Sequence, residues 1–186
     1  MRAAACALLA LAACAPAPIA VLDLTGGTHT PLAVPAGSVH VLVFTSHECP
    51  IANAYAPTLR DLATAWRDRP VRLFLVHVDP DLTAAAAATH ARQYELPGTI
   101  VLDPCHDLAR ALGIQRTPEA AVLIAAGGPL FYRGRIDDQW RALGSRAPEP
   151  GQRDLAAAVD AALAGQARPA VQPDAVGCLL PAPRPR

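Results

Sequence analysis

The sequence has no lysine, a single methionine, and aromatic side chains at only 4% of its 186 positions. Its sixteen basic residues, all arginine, balance sixteen acidic ones. A chain without net charge has no field to gather a polyanion or grip a membrane surface, so nucleic acid is not an expected partner. The missing lysine reflects genomic base composition and carries no functional meaning. No glycine-rich phosphate loop follows a strand-like run, so no haem, flavin or nucleotide cofactor is expected. The cysteine spacings do not form a zinc pattern. Cys49 has no near neighbour either, because the next cysteine is Cys105. What is present is apolar: 52% of the residues are hydrophobic, enough for one sizeable core and too few for two comfortable domains.

The opening stretch "MRAAACALLALAACAPAPIAVLDL" has one basic residue, then an apolar run too short to cross a bilayer, then small residues. That order is expected of a secretion signal over residues 1–18. Leu11-Ala12-Ala13-Cys14 resembles a bacterial lipobox, which would lipidate Cys14 and tether an exported protein to a membrane. Ordinary cleavage after small residues, with Cys14 discarded, is the other reading. Residues 19–165 then form one domain, and residues 166–186 a proline-rich tail extended over the surface. Export leaves Cys49, Cys105 and Cys178 in an oxidising compartment, which calls for one disulfide and an odd thiol, or a reactive thiol with a choice of partners.

Inside the domain, strand-like and helix-like segments alternate. "VHVLVF" (39–44) and "VRLFLVHVD" (71–79) are rich in β-branched and large apolar residues, as in strands covered on both faces. Between them Ile51, Tyr55, Leu59, Leu62 and Trp66 recur at steps of three or four, predicting a helix from Pro50 with a kink at Pro57. A second helix is expected over Leu82 to Tyr94, then the strand "TIVLD" (99–103). Asp103 and Pro104 read as the cap and first turn of a short helix that places Cys105 at its second position and ends at Gly113. "AAVLIAA" and "LFYRGRI" flank Gly127-Gly128, a hairpin turn between antiparallel strands. A last helix is expected over Arg153 to Ala164, with Leu155, Ala158, Val159, Ala162 and Leu163 on one face.

This β-α-β-α-β-α-β-β-α order, with a cysteine opening the first helix and Thr117-Pro118 before the hairpin, resembles the thioredoxin superfamily. "VFTSHECPIANAYAPTLRDLA", "RTPEAAVLI", "FYRGRIDD" and "DAVGC" are most similar to its alkyl hydroperoxide reductase/thiol-specific antioxidant (peroxiredoxin) and redoxin branch. The resemblance implies an α/β, thioredoxin-like fold: a central mixed sheet with helices on both faces. It implies a thiol-disulfide oxidoreductase or peroxidase in which Cys49 is the nucleophile. Its partners would be a thiol/disulfide protein or a peroxide, with an external thiol as reductant. A helix start favours a thiolate, the species that attacks disulfides and peroxides. By the same resemblance Thr117 and Pro118 form a cis-proline element beside that cysteine, where an extended substrate adds as a strand.

Two departures limit the activity. A Cys-x-x-Cys oxidoreductase resolves its own mixed disulfide, but here the positions read Cys49-Pro50-Ile51-Ala52. A peroxiredoxin motif, Pro-x-x-x-Thr-x-x-Cys, is met by Leu42 and Ser46 at its proline and threonine. Ser46 and Arg116 are then the candidates to orient a peroxide; a capping hydroxyl and a solvated surface charge are the bland alternatives. The resemblance implies that Cys178 resolves Cys49, and Cys105, on the same sheet edge, is the alternative. His47 with Cys49 is similar to half of a copper-chaperone site, whose second cysteine is replaced by Asn53; no metal is expected. His106 reads as a solvated helix-start residue, and Asp137 and Asp138 as carboxylates that cap or solvate the turn after the last strand. A metallochaperone and a non-catalytic binding module remain the alternative functions.

Overall fold

The computed structural model describes residues 18–125 and 130–185. Most of the expected export signal, Cys14 included, and the Gly127-Gly128 turn lie outside the described residues. Among the described residues no helix is long and apolar enough to cross a membrane.

The chain opens with β1 (Val21–Asp23) and β2 (Thr28–His29), then β3 (Val39–Thr45), α1 (Pro50–Ala54), α2 (Ala56–Ala65) and β4 (Val71–His77). It continues through α3 (Ala84–Tyr94), β5 (Thr99–Leu102), α4 (Asp107–Leu112), β6 (Arg116–Thr117), β7 (Glu119–Leu123) and β8 (Tyr132–Gly134). Last come β9 (Trp140–Ala142), β10 (Ser145–Arg146), α5 (Asp154–Leu163) and β11 (Cys178–Leu179). Seven strands form one mixed sheet in the order β2-β1-β5-β4-β3-β7-β8. β3, β4 and β5 run parallel, while β7 lies antiparallel to β3 and β8 antiparallel to β7. β9 and β10 form a small hairpin, and β6 pairs with β11 outside the main sheet.

Strand β3 shows why the sheet is central. All seven of its residues are buried. Val39, Val41 and Val43 enter a core with Leu59 of α2 and Leu155, Ala158 and Val159 of α5. Leu42 and Phe44 point the other way, into a second core with Phe74, Val76 and the α4 residues Leu108, Ala109 and Leu112. A period of two thus serves two cores, each large side chain adding about 1.5–3 kcal/mol of burial.

The helix after Cys49 follows its apolar repeat: Ile51, Tyr55, Leu59 and Trp66 are buried and Leu62 half-buried. The kink is a break, with Tyr55 joining α1 to α2 and Pro57 in the first turn of α2. Proline has no N–H for the Asn53 carbonyl, and its ring crowds that turn. α3 starts at Ala84, two residues later than the expected Leu82, because the Thr83 hydroxyl accepts the Ala86 N–H and fixes the cap there.

The start of α4 corrects the expectations for Cys105 and His106. It begins at Asp107, so Cys105 lies in the preceding turn and not at the second helical position. Asp103 still serves the helix, accepting the Asp107 and Ala109 N–H groups at 2.7 and 3.0 Å from further back. His106 is buried, not solvated: it has φ 57°, and its Nε2 meets the Val78 carbonyl at 2.7 Å. Asp137 caps its turn, accepting the Gln139 N–H at 2.9 Å, but it is buried and not solvated, and it also accepts the Tyr55 hydroxyl at 2.6 Å. Asp138 accepts the Gly151 and Gln152 N–H groups, so the two adjacent carboxylates do point apart.

Candidate active site: two cysteines from opposite ends of the chain

Cys49 ends the loop that leaves β3 and stands immediately before α1. This is the carboxyl edge of the parallel strands, where chain direction delivers loop residues to one rim. The sulfur faces inward and only 2% of the residue is exposed. It lies 2.7 Å from Sγ of Cys178 and 3.1 Å from the Thr117 carbonyl oxygen. Cys178 arrives by pairing: β11 runs antiparallel to β6, with Cys178 opposite Thr117 and Leu179 opposite Arg116. The Thr117-Pro118 peptide is cis.

The two thiols differ. Burial works to raise the Cys49 pKa, but hydrogen bonds from the Cys178 side chain, the Ala52 N–H, Thr117 and the Cys178 N–H outweigh it, and the net direction is down. For Cys178, burial and then the neighbouring Cys49 push the thiol up to about 11. Of the two, Cys49 is therefore the thiol whose ionisation the surroundings favour.

Behind the cysteines lies a polar cluster that sequence reading missed. Asp79, just past β4, accepts from the Ser46 hydroxyl at 2.5 Å, from the His47 N–H at 3.1 Å and from His77 Nδ1 at 3.3 Å. Burial opposes ionisation of its carboxyl, but the bonds from His77, Ser46 and His47 hold the pKa far below the usual carboxylate range. His47 Nδ1 is 3.2 Å from Oδ1 of Asp79 but out of line for a hydrogen bond, which leaves an electrostatic contact. Asn53, one turn into the helix, donates to the His47 carbonyl at 3.0 Å and meets His90 Nε2 at 2.9 Å. Its amide orientation requires that His90 Nε2 carry the proton. His77 and Asp79 alternate at the end of one strand, a spacing that puts two side chains on one face and was readable in advance. Nothing local marks His90.

A cleft of about 640 Å³ opens beside the pair, walled by Ser46, His47, Glu48 and Asp79 on one side and by Cys178, Leu179 and Pro181 on the other. Ser46 thus stands at the cleft, but its hydroxyl proton is given to Asp79. Arg116 is turned elsewhere, into a separate depression with Glu119, Arg133 and Asp174. Cys105 is half-buried and does not line the cleft. Among the described residues no group of three or more His, Cys, Asp or Glu is placed to hold a metal ion.

Residues 13–133 match the model of the AhpC/TSA family. The chain belongs to the AhpC/TSA family. Solved structures share the fold of this AhpC/TSA chain at low identity. An uncharacterized conserved protein from Geobacillus kaustophilus is 22% identical over 88% of each chain, with a TM-score of 0.74. A hypothetical protein from Sinorhizobium meliloti 1021 is 21% identical over 88% of this chain and 90% of its own, with a TM-score of 0.70. A secreted Mycobacterium tuberculosis disulfide oxidoreductase homologous to E. coli DsbE is 18% identical over 80% of this chain and 96% of its own, with a TM-score of 0.53. No curated protein matches the sequence. The thioredoxin-like fold expected from the sequence is the fold observed, and this AhpC/TSA member carries it with a mixed sheet between two cores.

Proposed function

We propose that the protein is a thiol-disulfide oxidoreductase whose redox pair is Cys49 and Cys178. The single observation that carries this is the approach of the two sulfur atoms to 2.7 Å, with Cys49 favoured as thiolate and Cys178 as thiol. The Cys49 thiolate attacks one sulfur of a disulfide substrate, forming a mixed disulfide and expelling the first thiolate. Cys178, giving up its proton, then attacks Cys49 Sγ and expels the second. The substrate gains two electrons from the protein, one proton from Cys178 and one from solvent, and the protein is left with a Cys49–Cys178 disulfide that an external dithiol reduces. The lower pKa of Cys49 also makes it the better leaving group when that dithiol attacks the more exposed Cys178.

Ser46 and Arg116, the candidates for orienting a peroxide, support this choice over peroxide reduction. One is committed to Asp79 and the other lies outside the cleft. The N-terminal stretch places the reaction outside the cytoplasm in this reading, with Cys14 as a lipid attachment point. Mass-spectrometric mapping after oxidation tests the pair: a Cys49–Cys178 linked peptide, lost in Cys49→Ser, is expected. A Cys49–Cys105 peptide would overturn the assignment, and peroxide consumption that depends on Cys49 would turn the reading toward a peroxidase.

A further inference from the structure

The tail does more than bring in Cys178. Gln172 accepts the Arg133 N–H at 2.9 Å through its side chain, and the Pro173 carbonyl accepts the Arg135 N–H at 3.1 Å. Ala175 is buried and Val176 packs on the core. β11 then pairs with β6, Leu180 N–H continues the pairing onto the Gln115 carbonyl at 3.3 Å, and Arg184 N–H reaches the Pro104 carbonyl at 2.8 Å. Residues 172–184 are therefore laid down in order along one path. Gly177 is where this path comes closest to the body. A Cβ there would stand 2.1 Å from the Thr117 carbonyl oxygen and 3.1 Å from Pro118 N, contacts backbone atoms cannot relieve.

β6 is two residues long, lies outside the main sheet, and has β11 as its partner. Its backbone would otherwise be an open edge, with Cys49 Sγ 3.1 Å from the Thr117 carbonyl. Such an edge accepts an extended chain by strand addition. The segment that fits it has a cysteine opposite Thr117 and no side chain one residue earlier, and the protein supplies that segment itself. External molecules are left with the cleft on the other side, which is of small-molecule size.

We infer that the Gly177–Leu180 strand closes this edge to extended polypeptides, so that the protein exchanges with small disulfides entering the cleft, and that displacing the strand uncovers an edge for cysteine-bearing polypeptide. The inference rests on the redox reading above. It assigns Gly177 as the residue that permits closure, and it makes the substrate class a consequence of the tail.

Two probes with the same leaving group separate access from chemistry. Cystamine is small and cationic, suited to a cleft lined by Glu48, Asp79 and Asp81 and no arginine. The second probe is an unstructured ten-residue peptide with one central cysteine joined by a disulfide to cysteamine. The rate of the first thiol release is measured for each with the reduced full-length chain and with Gly177→Val. The wild type should react at least tenfold faster with cystamine, and Gly177→Val should lower that ratio at least tenfold. Using a ratio cancels any change in Cys49 nucleophilicity that the freed tail causes. Equal wild-type rates, or a ratio unchanged within threefold in the variant, would overturn the inference while leaving the redox pair intact. Failure of both probes to react with wild type would instead remove the redox reading and the inference with it. Should Gly177→Val not fold, hydrogen exchange on the wild type decides: slow exchange at Leu180 N–H and in β11 supports closure, and exchange at unfolded-chain rates overturns it.

Discussion

The Ser46 hydroxyl donates to Oδ1 of Asp79 at 2.5 Å, joining the loop before Cys49 to the residue that follows β4. Both side chains are buried, so this bond is a structural tie inside the rim of the cleft. Ser46→Ala leaves a buried carboxylate short of a partner, and a bond of this type to a charged group is worth about 1.5–3 kcal/mol. Urea unfolding at neutral pH should show a loss of that order. Because the bond also lowers the Asp79 pKa, the acid limb of the stability profile should move to higher pH in the variant. A variant as stable as wild type with an unmoved acid limb would show that the tie does not matter.

His90 gives a second pH dependence. Burial lowers its pKa to about 4, helped by the neighbouring His77 and His47 and opposed by Asp79. An unfolded histidine titrates near 6.5, so between these values the unfolded chain holds more protons. Stability is therefore full above about pH 6.5 and falls as pH drops toward 4. His40, also depressed by burial, acts in the same direction. The urea midpoint of His90→Gln should fall less steeply across that window than that of wild type. Equal slopes would show that His90 does not titrate differently on folding.

Cys178 is among the donors that lower the pKa of Cys49. Cys178→Ala removes its S–H while leaving the backbone N–H in place. The pH midpoint for Cys49 alkylation by iodoacetamide should rise relative to wild type, and the fraction of thiolate at neutral pH should fall. A downward shift would mean that burial of Cys49, and not hydrogen bonding from the tail, governs its ionisation.

Tyr55 joins α1 to α2 and sends its hydroxyl to the buried Asp137. Burial and the adjacent carboxylate both push the phenol far above its usual range, so it remains a donor at every working pH. Tyr55→Phe keeps the ring packed in the core but strips Asp137 of this bond, although the Gln139 N–H at 2.9 Å remains. Thermal or urea unfolding should show a loss of about 1–3 kcal/mol. An effect below about 0.5 kcal/mol would indicate that Asp137 is satisfied without the phenol.

Helix and strand identity were legible because they rest on local periodicity. Val39 to Phe44 alternate between two cores, and Ile51 to Trp66 recur at helical steps. The α4 start was misread for a physical reason. Asp103 and Pro104 carry the chemistry of a helix opening, but the Asp103 side chain can cap from four and six residues back, and His106 takes a left-handed turn held by Val78. Buried polar groups were harder still, because Asp137 and His106 look like any loop residues until a distant partner is supplied.

By itself the sequence determined the helices, the strands β3, β4, β5, β7 and β8 with their mixed directions, and the placing of Cys49 at the rim where a parallel strand turns into a helix, while the short strands β1, β2, β6, β9, β10 and β11 were not legible in it. Short-range patterning carries those decisions. Only the tertiary structure decided that Cys178 faces Cys49, that Cys105 and Arg116 lie elsewhere, and that Ser46 serves Asp79. Each of these depends on contacts across tens of residues, which no local pattern encodes. The partner of Cys49 follows from the chain returning 129 residues later to pair with two residues of backbone.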